Sequence, residues 1–147
     1  MKWYFDTSVI VAASVASHTH NAAAAAVLDA LVAGKHDGYV SAHSLTEVYS
    51  VLTRTPFPLR LQPDQVLRLI ETSILGCMKL VTLDAGEYED VVRRSAAHGW
   101  IGGRIHDVIH LQCAAKMECD RIYTLNEKDF VALSPAALAD KIVALIA

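Results

Sequence analysis

Four carboxylates in this chain stand where their side chains could do chemistry. Asp6 follows the apolar run Trp3-Tyr4-Phe5 in MKWYFDTSVIV, and Glu47 lies in SLTEVYSVLTR. Asp107 lies in GGRIHDVIHL, and Asp129 closes RIYTLNEKDF together with Asn126. Burying a carboxylate without compensation is costly, so each is either an ordinary structural acid or part of a charged site. Singly, each has an ordinary explanation. Asp6 or Thr7 can cap the helix that follows, and Glu47 can be a solvated residue on a helix flank. Asp107 in a first helical turn suits the helix dipole, and Asn126 and Asp129 are common turn formers.

Together they read differently. Carboxylates crowded into one pocket raise one another's pKa unless a cation neutralises them. Hard oxygen donors without a clustered His or Cys favour Mg²⁺ or Mn²⁺ over zinc. His106 and His110 are four apart, as zinc pairs on a helix are, but no third ligand or H-E-x-x-H motif supports such a site. His18, His20, His36, His43 and His98 show no ligand spacing. Cys77, Cys113 and Cys119 are odd in number and form no C-x-x-C, so they read as packing residues in a reducing compartment.

The elements that would position the acids follow from the periodicity. Strand-length apolar runs alternate with longer helical segments, the pattern of an α/β domain with a mainly parallel central sheet. Predicted strands are 2–5, 39–41, 79–82, 121–124 and 142–145. Predicted helices begin near Ser8 and cover 21–33, 42–52, 64–75, 84–98 and 105–118, with Asn21 as a cap and Gly34 as a stop. The segment TRTPFPLRLQP, with Pro56, Pro58 and Pro63, is expected to be a mobile loop. Asp6 and the Asn126/Asp129 pair then fall at the carboxyl ends of strands, where open α/β sheets bind ligands.

Composition sets the bounds. The chain has 147 residues, 53% of them hydrophobic, enough for one domain spanning 1–147. No run approaches the length that crosses a membrane, and the start lacks the order of a signal peptide, so a soluble cytoplasmic protein is expected. A net charge of −3 gives no global attraction for nucleic acid, although an acidic site can carry a local basic rim.

The motifs FDTSV, SLTEVYSVLTR and GGRIHDVIHLQCAAKMECDRIYTLNEKDF, in this order and spacing, resemble the PIN-domain ribonucleases. The resemblance is to the VapC toxins of type II toxin-antitoxin pairs and covers nearly the whole chain. It implies a three-layer α/β/α sandwich whose acids are Asp6, Glu47, Asp107 and Asp129. It also implies a polar residue at Asn126. His106 departs from the aromatic, often Tyr, that is frequent before the third acid.

With that site the chemistry is metal-assisted phosphodiester hydrolysis. Mg²⁺, with Mn²⁺ able to substitute, would be held mainly by Asp6 and Asp107, with Glu47 and Asp129 ligating directly or through water and Thr7 in support. RNA as substrate comes from the resemblance, as do 5′-phosphate products and a VapB-type antitoxin that blocks the acids and binds operator DNA. The resemblance also implies a homodimer, for which the second to fourth helices offer apolar surface. Arg54, Arg60, Arg104 and Lys128 are the candidates for RNA phosphates. Two other classes compete: a PIN-like RNA-binding or RNA-processing domain without a toxin role, and a phosphoacceptor receiver-like module. The receiver usually has an acidic pair after its first strand, whereas Thr7 follows Asp6. Ser8 likewise breaks the D-x-D of a haloacid-dehalogenase-like phosphatase, and FDTSVIV has no glycine fingerprint.

Overall fold

The computed structural model describes residues 1–54 and 60–146. Trp3-Tyr4-Phe5 is a run of bulky β formers buried on both faces, as a strand in the middle of a parallel sheet must be. It makes β1 (Lys2–Phe5) the centre of five parallel strands, with β2 (Asp37–Ser41), β3 (Met78–Val81), β4 (Arg121–Thr124) and β5 (Ile142–Ala144) in the order β3-β2-β1-β4-β5. Trp3 pairs with Gly38 on one side and Arg121 on the other.

Alternation along β1 divides the core into two layers. Trp3 and Phe5 face the layer built from α1 (Thr7–Ser14), α2 (Asn21–Ala33), α3 (Ala42–Arg54) and α4 (Pro63–Ile70). Tyr4 faces the other layer, built from α5 (Ala85–His98), α6 (Arg104–Lys116), α7 (Glu127–Leu133) and α8 (Ala136–Ala139). This is the α/β/α sandwich that the resemblance implies, around the parallel sheet that the alternation predicts. No described helix is long and apolar enough to cross a membrane.

Two local expectations change. Asn21 is the first residue of α2 rather than its cap, and its amide donates to the carbonyls of Ala12 and Ala13, tying α2 to the end of α1. Gly34 is the C-cap that stops α2, as expected, but it stays right-handed and the left-handed residue is Lys35 (φ 52°). The predicted helix over 64–75 is α4 followed by a wider π-helical turn, Glu71–Leu75. Residues 55–59 of the expected mobile loop lie outside the described residues, while Thr53 and Arg54 end α3 and Pro63 opens α4.

The topology opens the site. From β1 the chain steps through β2 to β3 on one side, then returns to β4 on the other side of β1 and continues to β5. The crossovers therefore leave β1 and β4 in opposite directions, and a crevice opens at their carboxyl ends.

Candidate active site

Asp6 occupies the N-cap position of α1 with extended backbone (φ −71°, ψ 152°), yet its side chain makes no capping hydrogen bond. Its Oδ2 instead accepts from Ser8 Oγ at 2.7 Å and from Thr124 Oγ1 at 2.8 Å. Both hydroxyls in turn accept from the β4–α7 connection, Ser8 from the Leu125 N–H and Thr124 from the Asn126 N–H. The end of β1 is thus joined to the end of β4 through one carboxylate oxygen, and Oδ1 is left to the crevice.

Glu47 is held in a comparable way. Ser44, Glu47 and Val48 fall on one side of α3 because residues three and four apart share a helix face. Ser44 is fully buried and its hydroxyl lies 2.8 Å from Thr7 Oγ1, which donates to Glu47 Oε1 at 3.2 Å. His43, one turn earlier on α3, places Nε2 3.6 Å from the same oxygen. Burial would raise Glu47, but the hydrogen bond and charge of His110, the charge of His43 and the Thr7 hydrogen bond hold its carboxyl below the usual range.

Asp107, in the first turn of α6, is half-buried and accepts from Asn126 Nδ2 at 3.4 Å. Burial foremost, then the charge of Asp6, pushes its carboxyl up to about 6. Asp129 and Glu47 add to the shift and His110 opposes it. All four predicted acids therefore bear on one another. Asp129 sits in the first turn of α7, partly buried.

The side chain that the sequence reading set aside lies deep in the site. His110 is 2% exposed, with Nε2 3.3 Å from Thr7 Oγ1 and 3.5 Å from both Asp6 Oδ1 and Glu47 Oε1. Burial would lower its pKa, but the Glu47 hydrogen bond and the charges of Asp6, Glu47 and Asp107 outweigh that and leave it raised. His106 does not share its surroundings: it is exposed and stacks on His43 at 5.6 Å, on the rim of the site. Two signals could have found His110. It lies three residues after Asp107, hence on the same helix face, and α6 must cover the face of the sheet to which Tyr4 and Asp6 point. Ser8, Ser44 and Thr124 were missed as well, because short hydroxyl side chains carry no motif.

The cation candidates divide. Arg104 is the first residue of α6, one turn before Asp107, and Lys128 adjoins Asp129; both are exposed. Arg54 is exposed at the far end of α3, seven residues and so about 10 Å of helix beyond Glu47. Arg60 is exposed just before α4. Among the described residues none of the four makes an ion pair or hydrogen bond, whereas Lys79, Lys116, Arg68 and Arg93 are each bound to a carboxylate.

The donor set suits a hard divalent cation. Glu47 and Asp107 each have one oxygen held by a protein donor and the other unclaimed, Asp6 has Oδ2 held and Oδ1 only distantly faced by His110, and the uncompensated charge around Asp107 is what such an ion would neutralise. Among the described residues, no three His, Cys, Asp or Glu side chains are gathered tightly enough to hold a metal ion. The fit therefore rests on the chemistry of the donors and their mutual charge.

A parallel α/β/α fold with carboxylates at its switch point is the frame of an α/β domain that binds its ligand beyond the carboxyl ends of the strands. The chain belongs to the PIN-domain family, matching the domain over residues 3–134. Ribonuclease VapC40 of Mycobacterium tuberculosis is 35% identical to it over 104 residues, 71% of this chain and 72% of that protein. Among solved structures, VapC20 of Mycobacterium tuberculosis, a Sarcin-Ricin loop cleaving toxin, shares the fold at TM-score 0.69. The identity there is 17%, covering 88% of this chain and 94% of that one. VapBC2 from Rickettsia felis, solved bound to a DNA fragment from its promoter, aligns at TM-score 0.63 and 18% identity, covering 87% and 90% of the two chains. Family and relatives together make this chain a nuclease hydrolase of the VapC type.

Proposed function

We propose that the protein is a Mg²⁺-dependent endoribonuclease, the toxin of a VapBC-type pair, acting in the cytoplasm with Asp6, Glu47, Asp107 and Asp129 as its working acids. The observation that carries this reading is the position of Asp107, whose carboxyl burial and the charge of the other three acids push up to about 6 in a crevice otherwise lined by oriented hydroxyls. Asp6 and Asp107 would hold the ion, with Glu47 and Asp129 joining directly or through water, and Mn²⁺ would substitute. When bound, the ion lowers the pKa of a coordinated water and offsets charge developing on the phosphate.

The chain's own residues supply the rest. Ser8 and Thr124 fix the rotamer of Asp6, so that Oδ1 needs no reorganisation when the site fills. Thr7 turns Glu47 so that Oε2 remains free to accept from water. Asn126 orients Asp107, and Asp129 holds the attacking water in line with the phosphate. Arg104 and Lys128 neutralise neighbouring phosphates. Because the nucleophile is water, hydrolysis leaves a 5′-phosphate and a 3′-hydroxyl.

A VapB-type antitoxin is the expected partner, with an arginine or lysine entering the acid crevice in place of the cation. Family kinship and the likeness to the VapBC2 complex support that partner, and contact with DNA would be made through it. A homodimer through the α2–α4 layer completes the assembly.

The test is to sequence RNA ends after brief expression of wild type and Asp6→Ala. New 5′-phosphate ends should appear with wild type only, and chelation should abolish cleavage by the purified protein. Cyclic-phosphate ends, or equal cleavage by Asp6→Ala, would refute the reading.

A further inference from the structure

The proposed hydrolysis makes no use of two buried polar side chains, Tyr4 and His110. Tyr4 is fully buried on β1, two residues before Asp6 and on the same face of the strand. Its hydroxyl lies 2.7 Å from His110 Nδ1, a buried contact between residues 106 apart in sequence, and the two rings meet edge to face at 5.8 Å. The opposite nitrogen, Nε2, faces two carboxylate oxygens and the Thr7 hydroxyl.

The chemistry of these neighbours selects one tautomer. A carboxylate oxygen only accepts, so with Asp6 Oδ1 and Glu47 Oε1 both at 3.5 Å the hydrogen belongs on Nε2. Nδ1 is then the acceptor, and Tyr4 is its donor. At 3.5 Å from each oxygen the Nε2–H is a long donor shared by the two acids. Its place matters because Glu47, with a side chain 28% exposed, is held by one hydroxyl, Thr7, while Asp6 is fixed by two, Ser8 and Thr124.

We propose that Tyr4 and His110 form a positioning pair: Tyr4 fixes the tautomer of His110, and His110 holds Glu47 turned in beside Asp6, so that the acids are arranged before the cation arrives. This rests on the metal-dependent reading above and deepens it. His110 acts through the acids and is not itself a ligand, because a nitrogen that carries a hydrogen cannot coordinate.

Four proteins test the pair: wild type, Tyr4→Phe, His110→Leu and His110→Gln, all as the full chain. Tyr4→Phe preserves the packing and removes only the orienting hydroxyl. His110→Gln keeps an N–H donor near the position of Nε2. Mn²⁺ affinity by calorimetry, melting of the metal-free proteins, and the nitrogen coupling of bound Mn²⁺ by pulsed electron paramagnetic resonance are measured. Loss of an outer partner of a metal site weakens binding about 10- to 100-fold. His110→Leu should fall in that range, Tyr4→Phe should show a smaller loss in the same direction, and His110→Gln should recover most of the affinity. A purely structural role would lower the melting temperatures and leave the affinities equal.

Equal or tighter Mn²⁺ binding by a folded Tyr4→Phe or His110→Leu overturns the pair while leaving the nuclease reading intact. So does a directly bonded nitrogen in the wild-type spectrum. Failure of wild type to bind Mn²⁺ overturns both. If His110→Leu does not fold, Tyr4→Phe decides alone.

Discussion

Asp107 stores a conflict, first of burial and then of like charge, that the metal-free protein must bear. Between the ordinary carboxylate range and about 6, the folded protein keeps a proton on Asp107 that the unfolded chain has already released. Stability therefore falls as pH rises through that interval. His110, also raised, has the same sign: its contribution is present below its ordinary value and is lost as pH rises through the folded one. Glu47, held down, works in the opposite sense, stabilising above its ordinary range and losing that contribution as pH falls. In chelator the melting temperature of wild type should thus decline from pH about 5 to about 7.5, with Asp107→Asn melting higher than wild type at the upper end by about 3 °C. Added Mn²⁺ should raise wild type more than the variant. A wild-type melting temperature that rises across that window would remove that conflict as a feature of the site.

At the scale of elements, α6 matters most, since it carries Asp107 and His110 on one face. Its entry is set by Gly99 (φ 68°) and Gly102 (φ 64°), which bracket Trp100 and Ile101. A Cβ on Gly102 would meet nothing within 4 Å, so the cost of Gly102→Ala is that of the left-handed backbone alone, about 1–2 kcal/mol. That strain falls two residues before the first turn that aims Asp107. Gly102→Ala should therefore lower both stability and cleavage. Asp84→Ala, which breaks the capping box of α5 with Glu87, should cost about 1 kcal/mol and leave the cleavage rate of the folded protein unchanged. Thermal melts and initial rates on one RNA separate the two; equal rates for Gly102→Ala and wild type would mean that the entry turn does not aim Asp107. These elements also show what was legible. Tyr4 and its neighbours announce a central strand, and Asp84 with Glu87 announces a helix start, because strong local chemistry agrees with the fold there. The π-helical turn after Ile70 and the short helices α7 and α8 were not legible, since a wide turn leaves the apolar spacing nearly unchanged and helices of seven and four residues are too short for a period. His110 was misjudged for a different reason: its partners Tyr4, Thr7 and Glu47 come from distant parts of the chain, and only the folded sheet brings them together.

For the whole molecule, the question is how a chain of net charge −3 holds a polyanion against an acidic crevice. The resolution lies in which cations are already engaged. Lys79, Lys116, Arg68 and Arg93 are spent on carboxylates of the same chain, while Arg104 and Lys128, beside Asp107 and Asp129, make no ion pair among the described residues. Among the described cations that make no ion pair, Arg104 and Lys128 are the two that adjoin site acids, so the site carries local positive charge although the protein as a whole is acidic. Binding should accordingly be weak, steeply salt-dependent and local in origin. For single-stranded nucleic acid each neutralised phosphate contributes about −0.7 to the slope of log K against log salt. With Asp6→Asn as background, so that the RNA stays intact, Arg104→Ala and Lys128→Ala should each reduce that slope by about 0.7 in fluorescence-anisotropy titrations. Arg54→Ala, at the far end of α3, should change it least. If Arg54→Ala flattens the slope and Arg104→Ala does not, the RNA runs along α3 and away from the α6 entry, and the basic rim drawn around Asp107 is wrong.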